Sequence, residues 1–343
     1  MRKPVSLLVP AALLLALAAC GTSEEEVDPP GSERCGSNEY LAFDPVNHEP
    51  QDQRLAAFDE MLVLFGEAQA DPARAEAKAQ EILAIYERPS LKLSEKVAGR
   101  TDVHDPDAPL GAEMDAAFRS ALEMLKDAGT ATEVSVAKQR MEKAGIYRFL
   151  YHSVLQELWE PTRKHYDEAY GYLGTGETNA PAGRKGLARL AGKRDESNGT
   201  TIAGELFLHV LDGACALEKA LDERGADEMA VDDDPAYLEV AQTIDRKLRK
   251  VIAYSIGHEL IGLGKSGADV DGALVKLEEA EGYFVILERG LARGAAAEKD
   301  FAQAMRAALD DAFAAEDEGW IAAFPAADLK ASLEAAFGIH VHE

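Results

Sequence analysis

Residues 234–264 read DPAYLEVAQTIDRKLRKVIAYSIGHELIGLG, and this stretch decides the fold class. Tyr237, Val240, Ile244, Leu248 and Val251 recur at steps of three or four, which lines them along one stripe of a helix. Asp234 ahead of Pro235 places a side-chain acceptor before a first-turn proline, whose missing N–H has no helical partner at that position anyway. The same pattern extends outward in both directions. Helices are predicted over 52–69, 72–87, 111–128, 131–159, 162–173, 201–223, 235–264, 269–292, 296–314 and 326–337, with no convincing alternating segment. Asp71-Pro72 repeats the Asp-Pro start, and Pro161 separates the fourth predicted helix from the fifth. Residues 94–110 and 174–200 are expected as loops. The second is basic, through Arg184, Lys185, Arg189, Lys193 and Arg194, and is expected as a solvated linker.

One internal echo organises the body. Glu168-Ala169-Tyr170-Gly171-Tyr172-Leu173 recurs as Glu279-Ala280-Glu281-Gly282-Tyr283-Phe284. Glycine inside a helix costs about 1 kcal/mol against alanine, so it usually marks the close approach of another backbone. The same device in two halves suggests two related bundles, with coincidence in so short a match as the alternative. The expected architecture is therefore all-α, with a first bundle over 51–175, a linker over 176–200 and a second bundle over 201–343.

The first residues read as an address. Arg2 and Lys3 precede an apolar run from Val5 to Ala16, too short to span a bilayer, which takes about 20 apolar residues. It ends in Leu17-Ala18-Ala19-Cys20, which resembles a lipobox: residues 1–19 would be a signal peptide, and Cys20 the lipidated new N-terminus. Gly21 follows rather than the aspartate associated with inner-membrane retention, so the resemblance favours the outer membrane. Residues 20–50 are expected as lipidated cysteine and flexible tether, because GTSEEEVDPPGSE over 21–33 has little to bury. Cys35 and Cys215 remain in a compartment that permits disulfides and are candidates to pair.

Charge narrows the partners. Without Arg2 and Lys3, 34 basic residues face 62 acidic ones, a net charge of −28. Such a surface repels phosphate backbones, so no nucleic-acid partner is expected.

Several enzyme signatures fail on inspection. His258-Glu259 begins like a zincin helix, but Gly262 stands where the second histidine belongs. Gly264-Lys265-Ser266 lacks the first glycine of a phosphate loop and lies in a helical pattern. No Gly-x-Ser-x-Gly elbow occurs, nor a Glu-x-x-His pair of the di-iron bundles, so no catalytic residue is assigned. The surviving candidates are metal ligands. His165 and Glu168 stand three apart on one helix face, and Glu205, His209 and Asp212 share another at i, i+4 and i+7. Each set reads equally as a hydrogen-bonded polar cluster or a solvated helix edge. His152, in line with Leu155 and Trp159, reads as a packing histidine.

The run Trp159-Glu160-Pro161-Thr162-Arg163-Lys164-His165-Tyr166-Asp167-Glu168-Ala169-Tyr170-Gly171-Tyr172-Leu173-Gly174 resembles the hallmark stretch of a family of bacterial lipoproteins similar to imelysins. The later glycine echo and the closing Phe337-Gly338-Ile339 fit the same pattern. The resemblance implies paired helical bundles outside the cytoplasm, often linked with iron uptake. Its signature is Gly-x-His-x-x-Glu; His165 and Glu168 match the last two letters, and Arg163 stands in the glycine's place. The expected function is a membrane-anchored lipoprotein that binds iron or an iron-carrying compound beside an outer-membrane transporter. His165, Glu168, Glu205 and His209 would be its ligands. The alternative is an envelope scaffold that works without metal.

Overall fold

A computed structural model describes residues 38–44, 46–178 and 180–342. Among these the chain is all-helical, its only β pairing three isolated bridges. The predicted helices form within a residue or two, apart from α1, which starts three residues earlier. They are α1 (Glu49–Ala70), α2 (Ala75–Tyr86, behind a 3-10 turn at Pro72–Arg74), α4 (Leu110–Asp127), α7 (Arg163–Leu173), α9 (Ile202–Arg224), α10 (Pro235–Lys265), α11 (Val270–Arg293), α12 (Ala296–Ala314) and α14 (Ala326–Phe337). Asp234 caps α10 by accepting from the Tyr237 amide at 2.8 Å. Asp71 makes no such side-chain bond, so the two Asp-Pro starts are not equivalent.

The predicted helix over 131–159 is continuous but not uniform. It runs as α5 (Ala131–Gln139), a π-helical stretch at Arg140–Tyr147, and α6 (Arg148–Trp159). Thr130 and Glu133 close its start in a reciprocal capping box. A π stretch inserts residues into the helical repeat and so rotates the faces on either side of it. Here α5 packs on α1, α4 and α11, whereas α6 packs mainly on α7 and also meets α10, α11 and α8. One helix thereby serves two sets of neighbours.

Two groups of four helices result: α1, α2, α4 and α5 pack around one another, as do α10, α11, α12 and α14. Helix α11 lies against α5 and the π stretch, and α9 lies against α10. The buried apolar residues form one cluster that runs through both groups, from Tyr40 to Val341.

Three helices had no counterpart in the sequence reading: the short α3 (Leu93–Ala98) and α13 (Gly319–Ala323), and the longer α8 (Gly186–Asn198). Helix α8 corrects the solvated-loop reading of 174–200. Leu187, Leu190 and Ala191 are buried against α7, α9 and α10, while Arg189 pairs with Asp59 at 2.9 Å. Arg189, Lys193 and Arg194 thus lie on a packed helix, where Arg189 and Arg194 face Asp59 and Glu259, and Arg184 and Lys185 precede it. The segment before it is closed by the Lys185 amide donating to the Gly174 carbonyl at 2.7 Å. Gly174 has φ +75, and a Cβ there would lie 2.7 Å from the Lys185 carbonyl oxygen, so only glycine fits.

Both echoed glycines mark close approaches. A Cβ on Gly171 would lie 2.8 Å from Gln51 Cβ at the start of α1, and one on Gly282 only 2.4 Å from Lys143 Cβ in the π stretch.

Candidate functional site

Within residues 159–174, Thr162 starts α7: its hydroxyl accepts from the His165 amide at 2.9 Å. Along the helix from there, Tyr166 through Leu173 are all buried. The aromatic side chains serve packing and clipping. Tyr166 donates to the Val210 carbonyl on α9 at 2.8 Å, Tyr172 accepts from Arg54 at 2.9 Å, and Tyr170 stacks on Tyr40 at 3.7 Å between ring centres.

Asp167 is the residue that the sequence reading passed over. It is fully buried, and four donors converge on it. Oδ1 accepts from the Tyr40 hydroxyl at 2.7 Å and the Phe43 amide at 3.1 Å; Oδ2 accepts from the Asp44 amide at 3.0 Å and the Asn47 side chain at 3.4 Å. The segment ahead of α1 is therefore clipped onto α7 as a strap. This corrects the reading of 20–50 as flexible throughout: from Tyr40 onward an aromatic ring and a buried carboxylate hold the chain to the body. The available signal was an aspartate set among Tyr166, Ala169, Tyr170 and Tyr172, where burial of the neighbours requires donors from elsewhere.

The strap and helices α7 and α9 enclose a hollow of about 440 Å³, lined by Tyr40, Phe43, Arg163, Leu211 and Glu218 among others. Beside it lies a more open recess walled by Phe43, Asn47, Thr162, Arg163 and Lys164. Arg163 pairs with Asp222 at 2.6 Å. Leu41 and Val46, on the strap, are exposed large apolar side chains, at 74% and 62%.

The predicted metal ligands sit near this face but make other bonds. Donating from Nδ1, the His165 ring reaches the Glu160 carbonyl at 2.7 Å. Glu168 is buried and pairs with Lys164 at 3.3 Å on its own helix. On α9, Glu205 accepts from Lys247 at 2.7 Å and from the Thr201 hydroxyl at 2.5 Å. Burial pushes the Glu205 carboxyl up, but these two bonds outweigh it and hold it below the usual carboxylate range. His209, one turn on, adds to that stabilisation, and Asp212 is buried beyond it. Among the described residues, no group of three or more His, Cys, Asp or Glu is placed to hold a metal ion. His165, Glu168, Glu205 and His209 are therefore not gathered into one ligand set. The terminal His340 pairs with Glu334 at 3.1 Å.

Cys20 and Cys35 lie outside the described residues, whereas Cys215 on α9 is disulfide-bonded. Among the described residues, no helix is long and apolar enough to cross a membrane. Set against protein-family models, curated proteins and solved structures, the chain finds no match in any of the three.

Proposed function

We propose that this chain is a lipid-anchored recognition protein of the cell envelope, whose body engages a protein partner through the α7–α9 face beneath the strap. Three features support the reading. Leu17-Ala18-Ala19-Cys20 reads as a lipidation site, and Tyr40, where the strap is first held, comes 20 positions after Cys20. A chain of that length reaches at most about 70 Å, so a Cys20 anchor would keep this face close to a membrane and to a transporter or other envelope protein within it. The observation that carries the proposal is the strap itself. Its clip on Asp167 presents Leu41 and Val46 to solvent beside a recess of mixed charge, lined by Arg163 and Lys164 and by Asp44, Asp227 and Glu228.

The iron-uptake reading implied by the imelysin-like resemblance has less support. A metal at His165 and Glu168 would have to displace Lys164 from Glu168 and be held by few further donors. Calorimetric titration with ferric and zinc salts separates the readings, with His165→Ala and Glu168→Ala as controls. Stoichiometric binding abolished by either substitution would return the uptake reading to the lead.

The recognition reading is tested by a photocrosslinking residue placed at Leu41, Val46 or Val63 in cells. Val63 is equally exposed, at 61%, but sits on α1. Strap positions should yield one discrete envelope adduct that Val63 does not. Equal labelling from all three, or none from the strap, would overturn the proposal.

A further inference from the structure

Helix α12 turns two faces to its surroundings. Phe301, Met305, Leu309 and Ala312 are buried against the body. Asp300, Ala304, Ala307 and Asp311, at steps of four, three and four, form an exposed stripe on another side, which Ala315 continues at the C-terminal cap. Helix α13 packs beside that stripe without burying a residue of its own. Its Trp320 and the following Phe324 pack on the core but stay only partly buried. Between the alanines and these two aromatic residues runs a mainly apolar groove of about 460 Å³. Small side chains let a second helix axis come close, and a half-covered tryptophan is a frequent interface anchor.

The charges around the groove select its occupant. Asp311 lies in its wall, Asp300 begins the same stripe, and Glu316, Asp317 and Glu318 fill the link to α13, all of them exposed. Asp300, Asp311, Glu316 and Glu318 meet no cation at ion-pair distance among the described residues, and no lysine or arginine lines the groove. The phosphates of a nucleic acid or an anionic lipid surface would be repelled. A second copy of the chain, paired through the same groove, would bring this acidic rim against itself. A helix whose apolar stripe is flanked by lysine or arginine satisfies groove and rim at once.

We propose that the α12–α13 groove docks a basic amphipathic helix of a partner protein. The apolar side chains of that helix, spaced at i, i+3 or i+4 and i+7, lie between the alanines and Trp320, and its cations meet Asp311 and the acidic link. The groove is built from α12 and α13, apart from the strap, α7 and α9, so the inference does not rest on the recognition reading above.

The test uses the full chain in nanodiscs of zwitterionic lipid. Trp159→Phe leaves Trp320 as its one tryptophan, so fluorescence reports on the groove. The probe is a peptide of leucine and lysine with the leucines at helical spacing. Its controls are a scrambled peptide of the same composition and a version with glutamate in place of lysine. The probe should shift Trp320 emission to shorter wavelength and saturate, and neither control should. Ala307→Arg and Asp311→Lys change exposed positions and leave the fold intact, which circular dichroism checks. Each should weaken probe binding by about tenfold or more. Equal binding of either control peptide, an affinity unmoved by either substitution, or no saturable shift overturns the proposal.

Discussion

Replacing Asp167 by asparagine tests whether the strap is a clip or an integral part of the core. The two carboxylate oxygens divide four donors evenly: Tyr40 and Phe43 on Oδ1, Asp44 and Asn47 on Oδ2. An asparagine in either orientation keeps one acceptor and turns an N–H₂ group towards the other pair. One pair of bonds is lost and two donors confront donors, while the surviving bonds lose their charge assistance. At about 1.5–3 kcal/mol for a hydrogen bond to a charged group, less what the half-exposed strap regains from water, the net loss is about 3 kcal/mol. The equilibrium for strap release should then rise by about a hundredfold. Hydrogen exchange at the Phe43 and Asp44 amides measures this directly, and both should exchange about a hundredfold faster than in the parent chain. The main unfolding transition should move little, because α1 through α14 keep their contacts. Unchanged exchange at these two amides, or a fall in overall stability as large as the strap's, would refute the clip. The same clip carries a pH signature. Burial, with Asp167 beside it, raises the Tyr40 hydroxyl pKa above its ordinary 10. The docked strap therefore holds that proton more tightly than the released one. The contribution is complete below about pH 10 and fades as pH climbs beyond it.

Gly282→Ala should destabilise the chain by about 2–3 kcal/mol in urea unfolding, since its Cβ would fall 2.4 Å from Lys143 Cβ and 3.2 Å from the Ala144 nitrogen. Gly171→Ala, pressing at 2.8 Å on Gln51 Cβ near the start of α1, should cost about half as much; stability equal to the parent in both would remove the packing reason for the echo. Burial and the adjacent Glu259 push the Glu279 carboxyl up to about 7, against the pull of Lys276. Because the folded chain holds this proton more tightly than the unfolded one, the contribution is full below about pH 4.5 and lost as pH rises through 7. Glu279→Gln should therefore be the more stable protein at pH 8, by on the order of 1–2 kcal/mol, and unfolding midpoints at pH 5 and pH 8 would show it. Cys20→Ala should leave an unprocessed chain that no longer partitions with membranes; a processed, membrane-bound Cys20→Ala protein would end the lipoprotein reading.

Local patterning alone determined most of the helices. The 131–159 and 326–337 bounds were readable to the residue, because apolar periodicity and caps such as Thr130 and Asp234 act within one or two turns. Helix α8 escaped the reading because its charged run outweighs a short buried stripe, Leu187, Ala188, Leu190 and Ala191, that gains meaning only against α9 and α10. The π stretch left no visible mark in composition; packing on α4 and α11 accompanies it. Candidate ligands were recognisable by residue type and spacing, but side-chain partners depend on groups far off in sequence. Glu205 finds Lys247, and Asp167 takes its donors from residues more than a hundred positions away. Arg148 and Arg289 meet on Glu113 for the same reason, since only the packing of α6, α11 and α4 brings them together. Helices are decided by neighbours along the chain; the fate of each charge is decided by neighbours in space.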